Sequence, residues 1–103
     1  MPELYADPTA YRTYLTVIAQ IELLEDHPDK SESASKAAIG LDNLDPTPHL
    51  VLAVALAQQG KKADAVQAEN VGNALLPPDE QAEQRRKFEA LLNGHGADEK
   101  PLH

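Results

Sequence analysis

The sequence has no cysteine and no tryptophan, and its aromatic residues are three tyrosines and one phenylalanine among 103 residues. Without cysteine there is no disulfide scaffold, no thiolate metal site and no cysteine nucleophile. Basic residues are also scarce, 9 against 17 acidic ones, giving a formal charge of −8. Phosphate binding requires clustered Lys and Arg, so this balance argues against nucleic acid as a partner. Long apolar runs are missing too. The longest, Leu50 to Ala57, falls far short of a bilayer span, so no membrane insertion is expected. Met1-Pro2-Glu3-Leu4-Tyr5 lacks the basic and apolar blocks of a signal peptide, and a cytoplasmic location is expected.

Alanine is what the chain has in quantity, within a 42% hydrophobic composition. A core of Ala and Leu with little aromatic mass suits closely packed helices. Periodicity and caps predict five of them. Asp7-Pro8 opens the first, with Asp as N-cap and proline at the first helical position. Tyr11, Tyr14, Leu15, Val17, Ile18, Ile21 and Leu24 then recur at steps of three and four, predicting one broad apolar face with Arg12, Thr13, Thr16 and Gln20 opposite. Glu22 falls inside that face with no evident partner. This helix is expected to end near Asp26, ahead of Pro28.

Asp29 with Glu32 predicts a capping box for the second helix, whose stripe would be Ala34, Ala37, Ala38 and Leu41, with Ser33, Ser35 and Lys36 facing away. Asp45-Pro46-Thr47 opens the third helix as Asp7-Pro8-Thr9 opened the first. Apolar all round from Leu50 to Ala57, this helix should be covered on more than one side, and Gly60 suits its left-handed C-terminal cap. The fourth, from about Lys62 to Leu76, carries Ala65, Ala68, Val71, Gly72, Leu75 and Leu76 on one face. Pro77-Pro78 ends it, and Asp79-Glu80 starts a fifth, polar until Phe88, Leu91 and Leu92 and closed by Asn93-Gly94, as suits a capping helix. The expectation is all-α: antiparallel helix pairs in a single domain over residues 1–94, with residues 95–103 a flexible tail.

No constellation points to catalysis. The four histidines include no i, i+4 pair on a helix, no serine sits in a nucleophile elbow, and no phosphate-cradling glycine loop is present. Glu25-Asp26-His27-Pro28-Asp29 and Glu32 form the densest ligand cluster, but without calcium-loop spacing it reads as a solvated, capped turn. His49 reads as a packing residue. Arg85-Arg86-Lys87 with Lys61-Lys62 is the one basic concentration, either a solvated face among Glu83 and Glu89 or a docking point for an acidic partner. Neither enzyme activity, a cofactor nor a metal is expected.

An Asp-Pro-Thr motif occurs twice, at Asp7 and again at Asp45, which invites a search for repeats. Residues 46–79 resemble a tetratricopeptide repeat, a pair of antiparallel helices about 34 residues long. His49, Leu52-Ala53, Leu56, Ala65, Glu69 and Pro77 stand at its pattern positions, Gly60 at its turn and Gly72 at a small-residue position. His49 and Glu69 depart from the usual aromatic residues. Residues 8–45 resemble a degraded second copy, with Leu15, Ile18 and Ala19 in the first helix. In that register a few extra residues fall in the Asp26 to Lys30 turn, and Ala34, Ala38 and Pro46 then align. An unrelated helical bundle would give similar signals.

The resemblance implies tetratricopeptide-like hairpins with a C-terminal capping helix, and a protein-binding groove lined by the first helix of each repeat. Carried over position by position, the groove would comprise Thr13, Thr16, Gln20 and Leu23, then Thr47, Leu50, Val54, Ala57 and Gln58. The row Leu50, Val54 and Ala57 is either a groove seeking a partner's amphipathic helix or extended segment, or simply core. In size, charge and helix pattern the chain is similar to the tetratricopeptide-type chaperones that hold subunits of bacterial type III secretion systems. An adaptor or chaperone is the first functional expectation. A structural subunit that self-associates through the same apolar face, as a homo-oligomer, is the alternative.

Overall fold

The computed structural model describes residues 7–98. Five helices span them: α1 Pro8–Leu24, α2 Pro28–Leu41, α3 Pro46–Gln58, α4 Lys62–Ala74 and α5 Pro78–Asp98. Strands are absent among the described residues, and the fold is all-α. Short connections fold successive helices back on one another as helical hairpins, and α3 touches α1, α2 and α4.

The caps explain where the helices begin and stop. The Asp7 carboxylate accepts from the N–H groups of Thr9 (3.0 Å) and Ala10 (3.4 Å), and Asp45 accepts from Thr47 (3.1 Å). α2 differs from expectation. It starts at Pro28 with His27 in the cap position and no side-chain cap, because proline's fixed φ and missing N–H already suit the first helical position. Glu32 therefore closes no capping box with Asp29. Gly60 adopts φ +80°, and the N–H groups of Gly60 and Lys61 bond back to Ala57 (3.0 Å) and Leu56 (2.9 Å), a Schellman closure of α3. Asp26 does the same for α1 at φ 64°, with Asp26 and His27 bonding to Leu23 (3.1 Å) and Glu22 (2.7 Å). α5 continues to Asp98, beyond the expected stop at Gly94, so residues 95–98 of the expected tail are helical. Residues 99–103, like residues 1–6 at the start of the expected domain, lie outside the described residues.

The two hairpins repeat at one fixed interval along the chain. α1 and α3 end at Leu24 and Gln58, α2 and α4 begin at Pro28 and Lys62, and the left-handed residues are Asp26 and Gly60, every pair separated by the same interval. Burial follows it as well: Ala19 with Ala53, Ser31 with Ala65, Ser35 with Glu69, Ala38 with Gly72. No extra residues sit in the Asp26 to Lys30 turn, contrary to expectation. The longer interval between the Asp-Pro-Thr motifs arises instead from an additional N-terminal turn on α1.

Size governs the contacts between helices. α2 meets the stack with Ser31, Ser35 and Ala38, all fully buried, so the predicted stripe is rotated and Ser35 faces inward. The hydroxyls of Ser31 and Ser35 find no hydrogen-bond partner among the described residues, and their small volume is what the contact uses. Ala53 and Ala65 are fully buried, and a Cβ on Gly72 would stand 2.9 Å from His49 Cβ, so α4 approaches α3 as closely as backbones allow. The main core comprises Leu52, Ala53, Leu56, Ala57, Ala65 and Ala68, with Phe88 of α5 inserted and Leu92 packed beside it.

On α1 the polar side expected to be open is partly closed. Its buried residues are Thr16 and Ala19, and Arg12 is half-buried on the same side, whereas Tyr14, Val17, Ile21 and Leu24 of the apolar face are 41–86% exposed. Arg12 turns the helix this way. Its guanidinium bonds Asp42 at 2.6 Å and lies 3.5 Å from Asp45, tying α1 to the α2–α3 turn. Thr16 tolerates burial because its hydroxyl donates to the Arg12 carbonyl at 3.0 Å.

Candidate protein-binding site

On α3 the least buried strip is Thr47, Leu50, Val54 and Gln58, with the two polar ends more open than the two half-buried apolar residues between them. Four of the residues assigned to the groove on this helix thus share one edge. Ala57 does not join them. At 8% exposure it belongs to the core against Ala65 and Ala68, because its small side chain lies on the α4 side of the helix. On α1, Thr13 and Gln20 are exposed and Leu23 half-buried, while Thr16 is buried and cannot line an open groove. The row Leu50, Val54 and Ala57 is therefore split between edge and core.

α5 builds one wall beside Leu50. A cleft of about 170 Å³ lies there, lined by Leu50 and Leu76 and rimmed by Glu80, Glu83, Gln84 and Lys87. The rim is mixed in charge, with Lys87 paired to Glu83 rather than to Glu80, over an apolar floor that suits an apolar side chain. A second cleft, of about 270 Å³, has Leu52 and Leu56 at its base and Glu32, Lys36, Asp64 and Gln67 around it. Sequence reasoning missed it, because its lining comes from three helices, α2, α3 and α4.

The position of α5 depends on a buried charge. Glu69 is 1% exposed, and its Oε1 lies 3.0 Å from Arg85 Nε; Asn73 donates to its other oxygen at 3.3 Å and to the Gln81 carbonyl at 2.9 Å. Gln81 in turn donates to the Leu76 carbonyl at 3.0 Å. This buried carboxylate ties the last helix to the hairpin before it. The signal was present as an acidic residue on the small-residue face of α4, but its partner lies in another helix. Arg85 is thus committed to Glu69, Lys87 to Glu83 at 3.6 Å and Lys61 to Glu32 at 3.3 Å, which places much of the basic concentration in ion pairs within the fold.

Glu32 joins α2 to the α3–α4 turn. It accepts from Lys36 (2.7 Å), Gln59 (2.9 Å) and Lys61 (3.3 Å), and these bonds, Lys36 foremost, lower its pKa to about 2 against the opposing effect of burial. His49 bonds the Asn43 carbonyl at 2.9 Å and is 8% exposed, a packing residue as expected. Glu22 finds its partner in His27 Nδ1 at 2.9 Å. Glu22, Glu25 and His27 place ligand atoms within 4.8 Å of one another, but Nδ1 is engaged by Glu22 and Glu25 is exposed, the arrangement of a hydrogen-bonded turn. Asp29 and Glu32 of the same sequence cluster are not part of it.

No helix among the described residues is long and apolar enough to cross a membrane. Comparison with known family models, with curated proteins and with solved structures finds no match for the chain.

Proposed function

We propose that this chain is a tetratricopeptide-like protein-binding module, acting in the cytoplasm as an adaptor or chaperone, with no catalytic role. It takes an apolar segment with basic flanks along the strip Thr47, Leu50, Val54 and Gln58, between α1 and α5. Helix ends, turns and buried small residues recur at about 34 residues, the length of the tetratricopeptide unit, and this spacing carries the reading. Further support comes from the positions matched to the repeat pattern within the helices: His49, Leu52, Ala53, Leu56, Ala65, Glu69 and Gly72 are buried, while Gly60 and Pro77 in the turns are exposed. An apolar strip with polar ends, left half-buried beside a polar rim, fits a partner helix presenting a few anchors. The net charge of −8 favours a basic partner through long-range attraction.

Val54→Glu tests the reading. At a half-buried edge position the charge is expected to cost no more than about 1 kcal/mol, so the melting transition survives. Capture of partners from the native cell extract, identified by mass spectrometry, should then be lost. An unchanged set of captured proteins refutes the groove, and a collapsed melting transition places Val54 in the core.

A further inference from the structure

We propose that the outer face of α1 is a self-association surface, on which a second copy of the chain pairs its own α1 in antiparallel orientation. The face is separate from the α3 strip, and the proposal does not depend on the groove. Tyr14, Val17, Ile21 and Leu24 are 45%, 45%, 41% and 86% exposed. Their counterparts one repeat later in α3, Pro48, Val51 and Ala55, are buried, and only the last, Gln58, is exposed. The first helix of the stack thus presents to solvent the side that an inner helix buries.

Three observations select a second copy as the occupant. The four residues are spaced three, four and three apart, the seam spacing of paired helices. That spacing reads the same in both directions, so antiparallel copies place Tyr14 against Leu24 and Val17 against Ile21 at both ends of a two-fold axis, as an isologous contact requires. Second, the face carries no charge in a chain of net charge −8. The two charged residues of α1 are engaged elsewhere, Arg12 with Asp42 and Asp45, Glu22 with His27. Third, the exposed fractions amount to about two whole large side chains, a contiguous apolar patch on the order of 300–400 Å². A standard interface of roughly 800 Å² per partner is roughly 57% apolar and so uses about 450 Å² of apolar surface, most of which this face supplies. A two-fold contact through α1 closes at two chains.

Sedimentation equilibrium of the full chain between about 1 and about 100 μM tests this, since interfaces of standard size span micromolar and tighter affinities. Twice the 11.2 kDa chain mass is expected at the upper end. Val17→Glu should return a single-chain mass with unchanged helical content. The chain lacks cysteine, so equal parts of Val17→Cys and Ile21→Cys chains, mixed and oxidised, supply a readout that does not depend on the folding of Val17→Glu. The mixed disulfide should exceed its random share over both symmetric ones. A wild-type chain monomeric throughout, as when a different helix is the true occupant, overturns the proposal. A folded Val17→Glu chain that remains dimeric, or symmetric disulfides in excess, overturns it equally.

Discussion

Gly72→Ala measures how tightly the second hairpin is closed. In a helix interior, alanine is better than glycine by about 1 kcal/mol, and an unobstructed site would gain most of that. Position 72 is obstructed. A Cβ there would lie 2.8 Å from Leu50 Cδ2, 2.9 Å from His49 Cβ and 3.0 Å from Leu50 Cγ, where carbon atoms prefer about 3.5–4.0 Å. The Leu50 side chain is half-buried and can swing its end away. His49 Cβ cannot, because it is attached to the α3 backbone and its ring is bonded to the Asn43 carbonyl. α4 must therefore retreat from α3 by somewhat under about 1 Å along a contact that includes Ala53 and Ala65, at an overpacking cost of about 2–3 kcal/mol. After the propensity gain, net destabilisation of about 1–2 kcal/mol remains, a fall of roughly 5–15 °C in Tm for a domain of this size. Gly40 is the control: nothing lies within 4 Å of its would-be Cβ, so Gly40→Ala should raise Tm. Thermal and urea unfolding followed by far-ultraviolet circular dichroism compare the two. If Gly72→Ala is as stable as Gly40→Ala, the close approach of α4 to α3 is wrong.

Two further predictions concern charge. Arg85→Ala leaves the Glu69 carboxylate buried without its cation and should cost about 1–3 kcal/mol in urea unfolding, less than a fully buried pair because Arg85 is 44% exposed; adding Glu69→Gln should restore part of the loss, and no restoration would mean that the pair is not coupled. Glu32, whose folded pKa of about 2 lies below the ordinary 4.5, contributes stability that is present above pH 4.5 and lost as the pH falls towards 2. With its lysine partners 47–61% exposed, screening reduces that contribution to about 1 kcal/mol. Glu32→Gln should be less stable than the parent by that amount at neutral pH and equal to it near pH 2; a difference that persists in acid would assign the effect to packing.

The elements were legible in the sequence because their signals are local. Asp-Pro at two helix starts, Gly60 at a helix end and the apolar run Leu50 to Ala57 each act within a turn or two of the chain. Thr47, Leu50, Val54 and Gln58, which the resemblance carried over together with Ala57, share one edge of α3, whereas Ala57 is buried.

Which face of a helix finds a neighbour was decided only by the tertiary structure. Ser35 reads as outward because it is polar, yet it is buried together with Ser31, because the contact between α2 and the stack admits only small side chains, whatever their polarity. Glu69 reads as an anomaly in a packing position until Arg85 of the next helix comes to lie 3.0 Å away. Hydrophobic periodicity located the apolar face of α1 correctly but could not say whether anything covers it. Three-dimensional pairing of Arg12 with Asp42 and Asp45 fixes the other side of that helix in the stack. Sequence determines which surfaces avoid water, whereas the fold determines which of them it can hide, and among the described residues α1 has neighbours on one side only.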